Sequence, residues 1–228
     1  MRPVVRPGSA PTAFAARIES PERDRLRSMQ GVAPDQLLVG TVSCLKPQKS
    51  PEDFVRVDAL VCQRVPAARC VLVGDGALRP KVEALLLEQG LQDRVTLLGW
   101  RRDVAALLKA FDVFVLTSQW EGLPCAILEA RASRIPIVAT RVGGAAEAIV
   151  EGIQGTLCPA GDVRAMAERV CQILEDERFR VDLRTGTQEL PEEFTIQETL
   201  KQYQSLYAYL LHATRPSEDV MKLQPNRL

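Results

Sequence analysis

Short runs of aliphatic and β-branched residues alternate along this chain with longer stretches whose apolar positions recur every three or four residues. LLVGTVS (Leu37–Ser43), RCVLVG, RVTLLG, FDVFVLTS, IPIVAT and QGTLCP are of the first kind. Each has the length and the near-continuous hydrophobicity of a strand covered on both faces. Between them stand PEDFVRVDALVCQRV, LRPKVEALLLEQG, DVAALLKA, PCAILEARAS and DVRAMAERVCQILED, all with helical spacing. In PEDFVRVDALVCQRV the residues available for packing are Phe54, Val57, Ala59, Leu60, Val61 and Val65. The next helix should stop at Gly90, a residue suited to the position just past a helix end, and DVRAMAERVCQILED should be capped by Asp162. Strict strand–helix alternation predicts an α/β fold, a doubly wound, Rossmann-like parallel sheet. Its ligand edge should lie where strand C-termini meet helix N-termini.

The pattern changes at both ends. Residues 1–35, rich in Pro, Arg and Ser, read as a linker followed by a short helix at SPERDRLRSMQG. Residues 36–190 carry the alternating pattern. Residues 191–228 read as a C-terminal helix and tail, with Leu200, Tyr203, Leu206, Tyr207 and Leu210 at helical spacing. That helix needs an apolar surface to cover, and self-association through it is one way to find one.

Composition narrows the function classes. The chain has 228 residues, 46% hydrophobic and 25% charged, enough for a sizeable core. Lys plus Arg equals Asp plus Glu at 29 each, so no global field directs it to nucleic acid. No apolar run approaches the roughly 18 residues of a membrane span, so no transmembrane segment is expected, and peripheral membrane contact stays open. The N-terminus lacks the apolar core of a signal peptide. Six cysteines, none in Cys-x-x-Cys spacing, read as thiols of a reducing cytoplasm.

Candidate chemistry concentrates in two loops. In WEGLPCAILEA (Trp120–Ala130) a strand ends, the chain turns, and Pro124 suits a first helical residue. Free amides from Gly122 to Cys125 would then face the ligand edge at the positive end of a helix, a site for an anion such as phosphate. Glu121 beside them reads either as a ligand group or as a carboxylate serving the helix dipole. Glu129 has Cys125, Ala126, Ala132 and Ser133 as its helical neighbours, hence no basic partner at the right spacing. It reads as a ligand contact on a face of small residues, against the alternative of a solvated glutamate. Lys46 and Lys49, in the loop after the first strand, are either solvated or an anion's partners. Glycines in VGDG and RVGGAAE mark tight turns or close backbone approach. No Gly-x-Gly-x-x-Gly fingerprint follows the first strand, which argues against NAD or FAD.

The segments GTVSCLKPQK, VLVGDGALRPKVEALL, VTLLGWRRDVAALLKAFDVFVLTSQWEGLPCAILEARAS, PIVATRVGGAAEAIVEG and GTLCPAGDVRAMAERV stand in a recognisable order. With the pair Glu121 and Glu129 separated by seven intervening residues, the chain resembles the C-terminal, nucleotide-sugar-binding domain of retaining glycosyltransferases of GT-B fold, the family 4 group. The match is dense from Val39 to Leu174. VVRPGSAPTAF looks like the interdomain linker, and the tail looks like the final helix that crosses back to the first domain. The resemblance implies a single GT-B half with that crossover helix, and sugar transfer from a UDP- or GDP-linked donor with retention. By the same resemblance Lys49 meets the donor diphosphate, Glu121 lies near the transferred sugar, and Glu129 accepts from the ribose hydroxyls. Gly122 and Leu123 would offer amides to the sugar and phosphate, and Trp100 and Arg101 would hold the base. The nucleotide sugar is a substrate and no other cofactor is implied. The chain contains no Asp-x-Asp, which agrees with a mechanism without a metal.

Three positions depart from the family pattern. Cys44 stands where many members have a second cation on the diphosphate, with Lys46 nearby as a substitute. Ser50 and Arg134 stand where glycine is common. The family's N-terminal acceptor domain, with its histidine, is expected to be missing or on another chain, and His212 in the tail helix does not replace that histidine. This leaves three readings: an inactive donor-binding half, a nucleotide-sugar-binding subunit of a split transferase, and a non-enzymatic nucleotide binder.

Overall fold

The computed structural model describes residues 12–15, 20–186 and 190–213. Most of VVRPGSAPTAF, the tail beyond residue 213 and the side chain of His212 lie outside the described residues. The strands are β1 (Leu37–Val42), β2 (Ala68–Val73), β3 (Val95–Gly99), β4 (Val113–Leu116), β5 (Ile137–Thr140) and β6 (Gly155–Cys158). They form one six-stranded sheet in the order β3-β2-β1-β4-β5-β6, and every pairing is parallel. The helices are α1 (Thr12–Ala15), α2 (Ser20–Ser28), α3 (Pro51–Arg64), α4 (Arg79–Glu88), α5 (Val104–Ala110), α6 (Cys125–Ala132), α7 (Ala145–Ala148), α8 (Val163–Glu175), α9 (Glu177–Gly186) and α10 (Ile196–Ala213).

The strands read as continuously apolar because alternate side chains enter two separate cores. Val39, Cys70 and Leu72 pack with Phe54, Val57 and Val61 of α3, Val82 and Leu86 of α4, and Met166 and Val170 of α8. Their neighbours Leu38, Val71 and Val73 pack on the other face with α5, α6 and α7, through Leu108, Ile127, Leu128 and Ala145. Burial of that kind, roughly 25 cal/mol per Å² of apolar surface, is what holds both layers on the sheet. The strand order reverses between β1 and β4. Their C-terminal ends therefore open a crevice that no crossover connection fills.

Two expected helix ends are present. Gly90, in the left-handed region at φ 64°, ends α4, with Leu91 N–H donating to Leu86 O at 2.9 Å. Asp162 caps α8 through Ala165 N–H, which donates to its carboxylate at 3.0 Å. Other expectations need correction. Pro124 precedes α6 instead of opening it, with extended ψ of 108°. Leu60 faces outward, and the α3 position it was expected to share with the core is taken by Asp58, which is 0% exposed. In α10, Leu200, Tyr203, Tyr207 and Leu210 are exposed, but Leu206 is half-buried. The α9 helix was not expected at all. Neither was the firm docking of α2, whose Arg27 is buried against Asp112 and whose body packs on α5.

Candidate functional site

The crevice between β1 and β4 is built by the two loops that leave these strands. After Val42 the chain runs through Ser43 and Cys44 into a short 3-10 turn, Pro47–Lys49, and then into α3. After Leu116 it runs through Thr117 and Ser118 to Glu121. Hydrogen bonds tie the loops together. Thr117 Oγ1 donates to the carbonyls of Lys49 and Ser50, each at 3.0 Å. Gln119 N–H donates to Gln48 O at 2.8 Å, and Gln48 Nε2 returns a bond to Trp120 O at 2.9 Å. β4 stops at Leu116, earlier than its apolar run suggests: the Thr117 hydroxyl serves the neighbouring loop, and the Ser118 carbonyl accepts from Thr140 Oγ1 at 2.6 Å.

Lys49 and Glu121 meet at the centre of this lacing, with Lys49 Nζ donating to Glu121 Oε1. Ser118 Oγ donates to the same oxygen at 2.6 Å. The Glu121 side chain is only 6% exposed and that of Lys49 18%. A charge pair so far from water is held by geometry, and its electrostatic effect on a ligand is stronger than at an open surface. Among the described residues, the second oxygen of Glu121 makes no hydrogen bond.

Glu129 lies on α6, half-buried, and its carboxylate makes no ion pair or hydrogen bond among the described residues. Burial pushes its carboxyl above the usual 4.5. The nearby Cys125 thiol is raised, first by burial and then by the Glu129 charge; Lys49 and Glu121 act on it as well. The three charged groups are thus neighbours around one point. Gly122 is exposed and Leu123 half-buried, in the turn that leads to α6.

The glycines seen in the sequence do bring backbones together, but the close contacts are within the chain. A Cβ on Gly143, at φ 44°, would fall 1.8 Å from the carbonyl oxygen of Glu121, and Gly144 N–H donates to Gly122 O at 2.6 Å. The RVGG turn therefore fixes the loop that carries Glu121. On the other side of the crevice Val42, Ser43, Cys44, Lys49, Trp100 and Arg101 line a cleft of about 200 Å³.

Within this frame Lys49, Glu121, Trp100 and Arg101 gather at one edge, with Glu129, Gly122 and Leu123 beside them. Trp100 is 73% exposed, and Arg101 is occupied by Asp103 through bonds of 2.8 and 2.7 Å. Lys46 stands apart: it is exposed and does not line the cleft. Cys44 does line it, so the wall there is a thiol where a cation was a candidate. Ser118, Thr117 and Gln48 were missed in the sequence. The signal for the first two was a Thr-Ser pair at the end of a buried strand, both of them buried here. No group of three or more His, Cys, Asp or Glu among the described residues is placed to hold a metal. No described helix is long and apolar enough to cross a membrane.

Comparison with known proteins adds three findings. Residues 22–190 match the family model described as glycosyl transferases group 1. The chain is 31% identical over 184 residues to the N-acetyl-alpha-D-glucosaminyl L-malate synthase of Bacillus anthracis, a match covering 80% of this chain and 48% of that protein. It is 28% identical over 187 residues to the UDP-Gal:alpha-D-GlcNAc-diphosphoundecaprenol alpha-1,3-galactosyltransferase of Escherichia coli, covering 81% and 48%. The chain thus spans about half the length of these curated relatives. Among solved structures, Anabaena Alr3699/HepE in complex with UDP superposes with a TM-score of 0.78 at 26% identity, over 89% of this chain and 56% of that one. The C-terminal domain of a glycosyl transferase group 1 family protein (LpcC) from Francisella tularensis has the same fold, at a TM-score of 0.71 and 19% identity. That match covers 79% of this chain and 94% of that one.

Proposed function

Because the chain belongs to the glycosyl transferases group 1 family, we propose that it is the donor-binding half of a glycosyltransferase that moves a sugar from a nucleoside diphosphate to an acceptor with retention. The observation that carries this reading is the meeting of Lys49 and Glu121 in the crevice where the strand order reverses. In this reading the donor diphosphate takes Lys49 as its counter-ion, and Ser118 keeps Glu121 in place when Lys49 turns to the phosphate. Glu121, with the amides of Gly122 and Leu123, then faces the transferred sugar. The unpaired Glu129 accepts from the ribose hydroxyls, and the base lies in the cleft by Trp100 and Arg101. Departure of the nucleoside diphosphate builds negative charge on the leaving oxygen. In this reading Lys49, once turned to the phosphate, and the backbone amides stabilise that charge.

The HepE complex with UDP makes UDP the first donor nucleotide to try, ahead of GDP. The acceptor site belongs, in this proposal, to a second half, either in a longer chain or on a partner. That half would also orient the acceptor and exclude water. Calorimetric titration of UDP and GDP, with and without a sugar attached, together with a transfer assay, tests the reading. Binding of a nucleotide with negligible transfer is the expected outcome. Transfer by these 228 residues alone at ordinary enzyme rates, about 1–1,000 per second, would contradict the half-enzyme part. No binding of any nucleotide would contradict the whole.

A further inference from the structure

A second cluster of reactive groups lies where α3 ends and β2 begins, at the edge of the sheet away from the crevice. Asp58 and Cys62 come from α3 and Cys70 from β2. Cys62 Sγ stands 4.0 Å from Cys70 Sγ. Asp58 is fully buried beside them, and neither of its carboxylate oxygens has a hydrogen-bond partner. Burial, and then the neighbouring Cys62, raise its pKa well above the usual range. Cys70 is buried, and Cys62 is half-buried and can be reached from solvent.

Two guanidinium groups complete the cluster. Arg94 donates to the carbonyls of Pro66 and Ala68, and Arg69 to that of Asp93. Neither pairs with a carboxylate among the described residues, so their positive charge is left for Cys62. The hydrogen bond from Cys70, helped by Arg94 and Arg69, holds the Cys62 thiol below its usual pKa. Burial pushes Cys70 well above. A partly exposed thiolate in a positive setting is the kind that reacts, and a second thiol in contact with it is the kind that resolves the product.

We infer that Cys62 and Cys70 form a redox-modifiable pair that hydrogen peroxide, or another two-electron peroxide oxidant, converts to an intrachain disulfide. The Cys62 thiolate attacks one peroxide oxygen and the O–O bond breaks, giving a sulfenic acid and hydroxide. The Cys70 thiol then attacks the sulfenic sulfur, the S–O bond breaks, and water leaves. One peroxide is reduced to two waters while two thiols lose two hydrogens. The sulfurs must close from 4.0 Å to about 2.05 Å, a small movement across the short connection between α3 and β2. Among the described residues Cys62 and Cys70 are the cysteines whose sulfurs meet, so this pair is placed to close within a chain.

The test uses the full chain, reduced, desalted and treated with one equivalent of hydrogen peroxide. Free thiols are then alkylated and the protein is digested with trypsin without reduction. Cleavage after Arg64 and Arg69 puts the two cysteines on separate peptides. The expected product is a linked pair of these peptides, lighter by two hydrogens than their sum and separated by dithiothreitol. Cys70→Ser should instead accumulate a dimedone-reactive sulfenic acid at Cys62. In the untreated protein Cys62 should alkylate at least about tenfold faster than Cys70, because the thiolate is the reacting form. The inference is overturned if Cys62 remains a free thiol while Cys44 or Cys125 oxidises. It is equally overturned if oxidation runs on at Cys62 to sulfinic acid with no link to Cys70. Nucleotide affinity does not enter, so this result stands or falls apart from the proposed function.

Discussion

The two ends of the β1–β4 pair are built on opposite plans. At the N-terminal end Asp112, just before β4, accepts from Arg23 and Arg27 at 2.8 Å each, from Arg184 at 3.4 Å and from Leu38 N–H at 2.8 Å. Burial alone would raise its carboxyl, but these partners hold it below the ordinary range. The crowded Arg184 is correspondingly lowered, chiefly by burial, to about 10. At the C-terminal end one carboxylate, Glu121, is only part-satisfied, and another, Glu129, is half-buried with no partner among the described residues. Even the backbone differs, since the crevice end holds Ser50 in the left-handed region at φ 45°. A carboxylate with several donors fastens helices to a sheet, whereas one left short of donors is open to a ligand's. In the proposed function the same strands carry stability at one end and recognition at the other.

That contrast breaks most sharply at Asp112. Asp112→Ala leaves the buried Arg27, and the half-buried Arg23 and Arg184, without their counter-charge and should cost about 3–5 kcal/mol of stability. Denaturant unfolding would show it, and nucleotide affinity of the folded fraction should not change. A loss of affinity equal to that of a crevice variant would erase the distinction between the ends.

Glu129 should behave in the opposite way. Glu129→Ala is expected to weaken nucleoside diphosphate binding by about 1–3 kcal/mol, the scale of an unmade charge-assisted hydrogen bond. Its stability effect has a definite sign. A carboxyl whose folded pKa lies above 4.5 contributes stability below that value and loses it as pH rises through the raised pKa. Glu129→Gln, neutral throughout, should therefore melt higher than the parent at neutral pH, with the gap closing as pH falls below the ordinary carboxylate pKa. A variant that melts lower at neutral pH would mean that Glu129 is a structural partner.

The smallest effect is expected at Arg134, in the left-handed region at φ 57° just past α6. Arg134→Gly removes a strain of about 1–2 kcal/mol and returns part of it as backbone entropy of the unfolded chain. A net gain below about 1 kcal/mol should appear in chemical denaturation. Ser50→Gly should gain less, because it also removes the 2.7 Å bond from Ser50 Oγ to Asp53.

The crevice end was far more legible in the sequence than the other. Lys49 and Glu121 stand in loops that follow recognisable strands, and Glu129 stands on a helix where local spacing shows that it has no basic partner. The pairing of Lys49 with Glu121, 72 positions apart, was not legible. Ser50 and Arg134, noticed only as replacements of common glycines, are the residues outside glycine that take positive φ among the described residues. The Asp112 cluster was hidden because its parts are separated by 85 or more positions in the case of Arg27 and Arg23. Locally, those arginines belong to a short helix that follows the linker, and nothing in its spacing points to Asp112. Asp58 escaped for a related reason: only apolar residues were counted as core positions of α3, and Asp58 is buried among them. Lys46 fails differently, since its loop winds into a 3-10 turn that leaves it exposed while Lys49 points at Glu121.

The central claim is that Lys49 serves a diphosphate. The direct test is calorimetric titration of the parent and Lys49→Ala with UDP and with uridine, at one salt concentration. Loss of a hydrogen bond to a charged group, about 1.5–3 kcal/mol, predicts that the variant binds UDP roughly 10- to 150-fold more weakly while uridine affinity stays as in the parent. Equal losses for both ligands, or no loss for either, would contradict the account.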